Sequence, residues 1–145
     1  MMEEDEVTPL TPLAPQEIDR ILALDAQTRA DWMLEDCARH EQAWGLVDSK
    51  GWVVFKLPES PAGPGQWALP LWPRQELAAL ASRNAEEQPR RVDFEVLLES
   101  LLPEVEQRGW KVLACPGQDG GLSELASEFR GQLAQTWDEL NEEES

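Results

Sequence analysis

The sequence predicts an α+β fold, in which a mostly antiparallel, four-stranded sheet packs against helices within a single domain. Two observations carry this prediction. Apolar residues recur with helical spacing towards both ends of the chain, whereas residues 43–48 and 51–57 show the period-two alternation of strands. The chain has 145 residues, 41% of them hydrophobic, which is enough to bury one core.

An arm and a short helix are predicted first. Residues 1–14 are acidic and contain two prolines, a composition typical of a flexible, extended arm. Pro15 suits the first position of a helix. The apolar face of that helix would consist of Ile18, Ile21 and Leu22.

A second helix is predicted after Asp25, whose side chain suits a helix cap. Its apolar stripe follows helical spacing and consists of Ala30, Met33, Leu34, Cys37 and Ala38. Trp32 lies about 160° from this stripe around the helix axis, so we expect its indole at the surface.

Three strands are predicted in series. Residues 43–48 and 51–57 flank a short polar turn in which Gly51 supplies positive φ, so they should form a hairpin. Residues 58–65 contain three prolines and two glycines and are predicted to form a loop. The third strand, residues 66–72, contains Pro70, which favours an edge or a bulge.

Two further helices surround a polar linker. Pro73 begins a helix that extends to about residue 84, and residues 85–91 are the linker. Asp93 suits the cap of the next helix, which has a broad leucine-rich face. Pro103 should break or kink that helix.

A fourth strand and a long helix complete the predicted domain. Residues 110–115 form the strand, and the Pro/Gly-rich residues 116–121 form a turn. The last helix has one apolar stripe, made of Leu122, Leu125, Ala126, Phe129, Leu133, Trp137 and Leu140. The domain should therefore span residues 15–140, with an acidic tail at residues 141–145.

The charge balance favours a basic partner. The chain has 29 acidic and 12 basic residues, for a formal net charge of −17. Residues 3–6 and 138–144 together hold nine acids and no bases, so about half of the excess lies at the ends. Because a negative surface repels phosphate and anionic lipid, we expect neither nucleic acid nor membrane as a partner. The alternative interpretation is that the acidity mainly maintains solubility.

Targeting signals are not evident in the sequence. The first residues include neither a basic segment nor an apolar run, so no signal peptide is expected. No apolar stretch is long enough to span a bilayer. The two cysteines do not form a disulfide framework or a metal-ligand motif. A cytoplasmic location is the simplest prediction.

Catalytic, metal-binding and cofactor-binding residues are not predicted. His40 is the only histidine, which excludes a multi-histidine metal centre. Cys37 precedes His40 by three residues on a predicted helix, so a thiol–imidazole dyad is conceivable. However, Cys37 belongs to the apolar stripe, where cysteine usually behaves as a buried hydrophobe. With 29 acids, carboxylate pairs occur by chance and indicate no site.

The seven tryptophans give the better lead to a function. Four of them are expected in the core because apolar residues share their faces: Trp44, Trp52, Trp110 and Trp137. Trp67, Trp72 and Trp32 are candidates for a partner-binding surface, since exposed tryptophans often anchor protein interfaces. Glu59, in the loop before Trp67, is included as an acidic member of that surface.

Several short motifs resemble one bacterial family, catalogued as domain of unknown function 2750. They are Trp44-Gly45-Leu46, Gly51-Trp52, Leu69-Pro70-Leu71-Trp72-Pro73, Leu101-Leu102-Pro103 and Gly109-Trp110-Lys111-Val112. The likeness covers about residues 18–135. It implies a compact α+β domain and lends no activity, cofactor or catalytic residue.

The sequence therefore favours a non-enzymatic, acidic protein-binding module. Its most concrete form is an inhibitor or immunity-type protein that occludes a more basic partner, such as a toxin or nuclease domain. One alternative is a regulatory or housekeeping subunit whose acidity is incidental. Another is a small hydrolase that uses Cys37 and His40.

Overall fold

A computed structural model describes residues 11–57, 66–117 and 120–144. In chain order these residues form α1 (Pro15–Leu22), α2 (Ala26–His40), β1 (Gln42–Asp48), β2 (Gly51–Trp52), β3 (Phe55–Lys56), β4 (Trp67–Leu71), α3 (Gln75–Ala81), β5 (Gln88–Asp93), α4 (Phe94–Val96), a π-helical turn (Leu97–Leu101), α5 (Leu102–Gln107), β6 (Lys111–Gly117), β7 (Gly120–Leu125) and α6 (Ala126–Glu144). The fold is α+β in a single domain, as the sequence predicts.

The strands form two sheets, so the prediction of one mostly antiparallel, four-stranded sheet is only partly right. One sheet has the order β2-β1-β5 and is antiparallel. The other has the order β3-β4-β6-β7 and is mixed, because β4 pairs with β6 in parallel. Trp44 and Trp72 join the sheets through reciprocal backbone hydrogen bonds of 2.7 and 2.8 Å.

The predicted strand at residues 51–57 is divided between these sheets. Its first part, β2, pairs with β1, and its second part, β3, pairs with β4. Trp44 of β1 bridges to Trp72, the residue that follows β4, so the two sheets meet there and residues 51–57 pair first with β1 and then with β4. Gly51 has a φ of 114° in the hairpin turn, which confirms the glycine predicted there.

Two elements differ from the sequence prediction. The predicted linker at residues 85–91 contains most of β5, whose exposed edge position explains its polar sequence. Leu122 and Leu125, predicted on the last helix, lie instead in β7. The helix begins at Ala126 because the preceding residues pair with β6 over Lys111–Ala114. α6 also extends past residue 140, into the segment that the sequence predicts to be an acidic tail.

The segment around Pro103 continues as a helix rather than breaking. α4 runs into the π-helical turn, in which the Leu102 N–H bonds to the Leu97 carbonyl five residues earlier, and α5 follows. Proline lacks an N–H and its ring collides with the carbonyl four residues back. The wider π-helical turn makes room for the proline ring. The helix therefore continues with a shifted hydrogen-bond register instead of ending.

The core lies between α2, α5 and α6 and the mixed sheet. Asp25 caps α2 by accepting a hydrogen bond from the Thr28 N–H at 2.7 Å, as predicted. The predicted stripe of α2 is confirmed, with Leu34 at its partly buried margin. No helix in the described part of the chain has the length and apolar character needed to cross a membrane.

Buried arginines fasten the outer segments to this core. Arg29, on α2, donates to the carbonyls of Cys115 and Gly120, both at 2.8 Å, and thereby holds the β6–β7 hairpin. Arg74 donates to the Thr11 carbonyl at 3.1 Å, so the described end of the predicted arm is attached to the domain. Residues 1–10 lie outside the described segments.

Candidate functional site

The predicted tryptophan surface is separated by the fold. Trp72 is only 1% exposed, and its Nε1 donates to the Pro116 carbonyl at 3.1 Å. Its assignment to the surface is therefore wrong, because a buried indole with a satisfied N–H cannot contact a partner. Trp67, at the start of β4, is 46% exposed, and the Lys56 ammonium lies 5.9 Å from its ring centroid.

The other proposed interface residues do not extend that surface. Trp32 is half-buried against the core rather than exposed. Glu59 lies outside the described residues. Among the tryptophans predicted to be core residues, Trp137 is 36% exposed and stacks on Phe94 with ring centroids 6.4 Å apart. The other three, Trp44, Trp52 and Trp110, are partly buried against the core.

An acidic groove of about 310 Å³ lies between α2 and α6. We call it the acidic groove, and it is lined by Asp31, Leu34, Glu35, Thr136, Glu139 and Leu140. Leu34 and Leu140 are partly buried against the core and give the groove an apolar floor. Its walls therefore carry carboxylates above apolar carbon, and none of these lining residues is basic.

Negative charge accumulates around this groove without full compensation. The pKa of Glu124, on neighbouring β7, is raised by burial and by the repulsion of Glu128 and Asp31. Glu35 pairs with Arg39 at 2.9 Å, which offsets its charge, although the pair adds little to stability because both side chains are about half-exposed. Burial is the larger cause of the raised pKa of Glu124, and the repulsion from the two neighbouring acids adds to it.

The charges at the C-terminal end of α6 do not complement the dipole of that helix. A helix C-terminus carries partial negative charge and is stabilised by basic residues. The last turn of α6 contains no base, and its sequence ends in three glutamates. The C-terminal end of α6 therefore lacks the basic side chains that would offset its partial negative charge.

The thiol and imidazole considered as a catalytic dyad lie in unsuitable environments. Cys37 is fully buried, and burial followed by the charge of Asp36 raises the pKa of its thiol well above the ordinary value. Burial outweighs the attraction of Asp36 and lowers the pKa of His40, whose Nε2 lies 3.6 Å from Asp36 Oδ1. Asp36 is already bound by Arg74, at 2.7 and 3.1 Å. The thiolate that a nucleophile requires is thus disfavoured.

The described side chains include no group of three or more His, Cys, Asp or Glu residues that could hold a metal ion. Cys115 has a pKa raised to about 12 by burial, so its thiolate is disfavoured as well. Neither cysteine is therefore suited to metal ligation or nucleophilic chemistry in this fold.

A separate, apolar groove of about 360 Å³ lies beside α3. It is lined by Leu22, Phe55, Leu77, Leu80, Ala81, Pro116 and Gly117, and Leu80 is 63% exposed. No charged residue lines it. It could contact apolar surface but offers no basis for choosing a partner by charge.

Sequence reasoning located neither groove. The acidic groove combines α2 and α6, which are separated by most of the chain, and each helix alone resembles an ordinary solvated helix. The one signal available in the sequence is the dense acidity of residues 138–144, which by itself predicts a solvated tail.

A model of the family described as "Protein of unknown function (DUF2750)" matches residues 30–133. No match to the chain is found among curated proteins or among solved structures. The matched segment includes most of α2 but ends before Thr136, Glu139 and Leu140. One wall of the acidic groove therefore lies within the family match and the other outside it.

Proposed function

The chain belongs to the DUF2750 family, and we propose that it is a protein-binding module whose acidic groove receives a basic segment of another protein. In its most specific form it is an inhibitor or immunity-type protein that occludes a basic toxin or nuclease domain. One observation carries this proposal: the groove between α2 and α6 places three carboxylates, those of Asp31, Glu35 and Glu139, around an apolar floor.

The groove chemistry suits lysine and arginine side chains. Their aliphatic stems can cover Leu34 and Leu140, while their charged ends reach Asp31, Glu35 and Glu139. A net charge of −17 would also accelerate encounter with a basic protein. Both effects weaken as salt concentration rises.

Trp67 is less suited to the same contact. Lys56 lies beside its ring and would repel a basic segment. The proposal therefore moves the principal contact from the tryptophans to the α2–α6 face. Since one wall of the groove lies outside the family match, the choice of partner would belong to this chain rather than to the family.

The test compares two triple variants that change net charge equally. Asp31→Asn/Glu35→Gln/Glu139→Gln neutralises the groove. Glu86→Gln/Glu95→Gln/Glu106→Gln neutralises three exposed acids elsewhere and is the matched control. Wild-type protein is used to capture partners from cell lysate, and the captured protein is then titrated calorimetrically with each variant at about 50 and 200 mM salt.

We expect capture of a basic protein whose affinity falls with salt. The groove variant should weaken binding at least about tenfold, and the control less than about twofold. Equal weakening by both variants would favour incidental acidity over a groove contact. Capture of an acidic protein, or binding insensitive to salt, would refute the proposal. Circular dichroism establishes that each variant is folded.

A further inference from the structure

We infer that a third groove binds a small aromatic carboxylate. This Trp52 groove, of about 330 Å³, lies between the β2-β1-β5 sheet and the helical segment from α4 to α5. Its principal lining residues are Trp52, Arg90, Val92, Val96, Ser100 and Leu101. It shares no lining residue with the acidic groove, and the inference does not depend on the proposed protein partner.

Gly45 allows the indole of Trp52 to form one wall. In the ladders of β1, Gly45 pairs with Arg90 and Val47 pairs with Trp52, so these side chains share one sheet face. A Cβ atom at Gly45 would lie only 2.7 Å from Trp52 Cζ3. Because Gly45 has no side chain, the Trp52 indole can occupy the space above it, next to β5, the strand that carries Arg90.

Arg90 supplies positive charge that is not used within the described part of the chain. It is exposed, and no described residue forms an ion pair or hydrogen bond with its side chain. The two carboxylates that line the groove are already paired: Asp93 with Arg91, and Glu104 with Arg108 at 2.8 Å. The free positive group in the groove is therefore the Arg90 guanidinium.

The floor and the opposite wall favour a flat apolar body. Val92 and Leu101 are buried, whereas Val96 is half-exposed at the opening. Ser100 adds a hydroxyl from the π-helical turn, a type of distortion that frequently occurs at functional sites. A volume of about 330 Å³ is near the lower limit of small-molecule sites and suits one ring with an acidic substituent.

These groups together select an aromatic carboxylate. A guanidinium can bind a carboxylate with two parallel hydrogen bonds. An indole packs favourably against a flat ring, in stacked or edge-to-face geometry. Neither group alone distinguishes this class, but both line one groove on the same face of the β2-β1-β5 sheet.

The test follows benzoate binding to the full chain by ¹⁵N–¹H NMR. The Trp52 indole signal is assigned with the Trp52→Phe variant. Benzamide is the neutral probe of the same shape, and inorganic phosphate tests charge without a ring. Arg90→Gln removes the proposed anion contact. Arg20→Gln is the matched control, because Arg20 is also exposed and forms no ion pair with a described residue.

Benzoate should shift the Trp52 indole signal saturably, and Arg90→Gln should weaken binding at least about tenfold. Arg20→Gln should change it less than about twofold, and both benzamide and phosphate should bind at least about tenfold more weakly than benzoate. The inference is overturned if benzoate does not shift Trp52, if the two arginine variants behave alike, or if phosphate binds as well as benzoate. Failure of partner capture by the acidic groove would leave all these readouts unchanged.

Discussion

Replacing Trp72 by phenylalanine should destabilise the fold strongly, because its side chain belongs to the core and not to a binding surface. Trp72 is fully buried, and its Nε1 bonds to the Pro116 carbonyl at 3.1 Å. The smaller ring leaves a void and loses buried apolar contact, which together cost about 1–2 kcal/mol. The buried carbonyl left without its donor adds about 1–2 kcal/mol. The expected loss is therefore about 2–4 kcal/mol in the free energy of unfolding.

Urea unfolding followed by far-UV circular dichroism measures this loss. With a slope of about 2 kcal/mol per molar urea, the midpoint should fall by about 1–2 M. Trp67→Phe is the matched control, because the same substitution is made at an exposed position. It should change the free energy of unfolding by less than about 0.5 kcal/mol.

Equal midpoints for Trp72→Phe and wild type would refute the reasoning. The variant would then have to fill the void left by the smaller ring and supply the Pro116 carbonyl with a new donor. Equal losses at Trp72 and Trp67 would also refute it, because exposure would no longer distinguish the two indoles. An unchanged slope in both variants would indicate that the native and unfolded states keep their compactness.

Three further predictions concern ionisation and packing. The raised pKa of Glu124 means that its ionisation opposes folding, so the free energy of unfolding falls as pH rises through that pKa. Glu124→Gln should therefore raise the melting temperature by about 1–3 °C at about pH 7. The gain should vanish near about pH 4, where the carboxyl group is protonated. The pKa of Glu87 is lowered, chiefly by a hydrogen bond from Arg83, so its contribution is present above the unfolded pKa and lost as pH falls. Glu87→Gln should cost about 1 kcal/mol at about pH 7 and progressively less in acid, as measured by urea unfolding. Gly45→Ala should displace the indole above it and cost about 1–3 kcal/mol. Gly131→Ala, in open space on α6, should be neutral or stabilising by up to about 1 kcal/mol; equal effects of the two alanines in thermal unfolding would contradict the packing argument.

Local signals predicted several elements correctly. Asp25 accepts the capping hydrogen bond of α2, and Gly51 adopts positive φ in the β1–β2 turn. These features depend on a few neighbouring residues, which the sequence displays directly. The apolar stripe of α2 is also local, because helical spacing alone places its members on one face.

Non-local pairing explains the errors. β5 is polar because it forms an exposed sheet edge, so hydropathy did not distinguish it from a linker. Leu122 and Leu125 fit helical spacing equally well, and only their position beside β6 makes them part of a strand. The candidate sites were missed for the same reason: each groove brings together elements that are distant along the chain.

The amino-acid sequence by itself determined the α+β class, the family, the helix cap, the hairpin turn and the overall negative charge. Each follows from composition or from a short motif. The tertiary structure decided which strands pair, which tryptophans are buried and where charge meets apolar surface. The physical reason is that hydrogen-bond ladders, burial and electrostatic repulsion act between residues close in space, and the fold alone establishes that proximity.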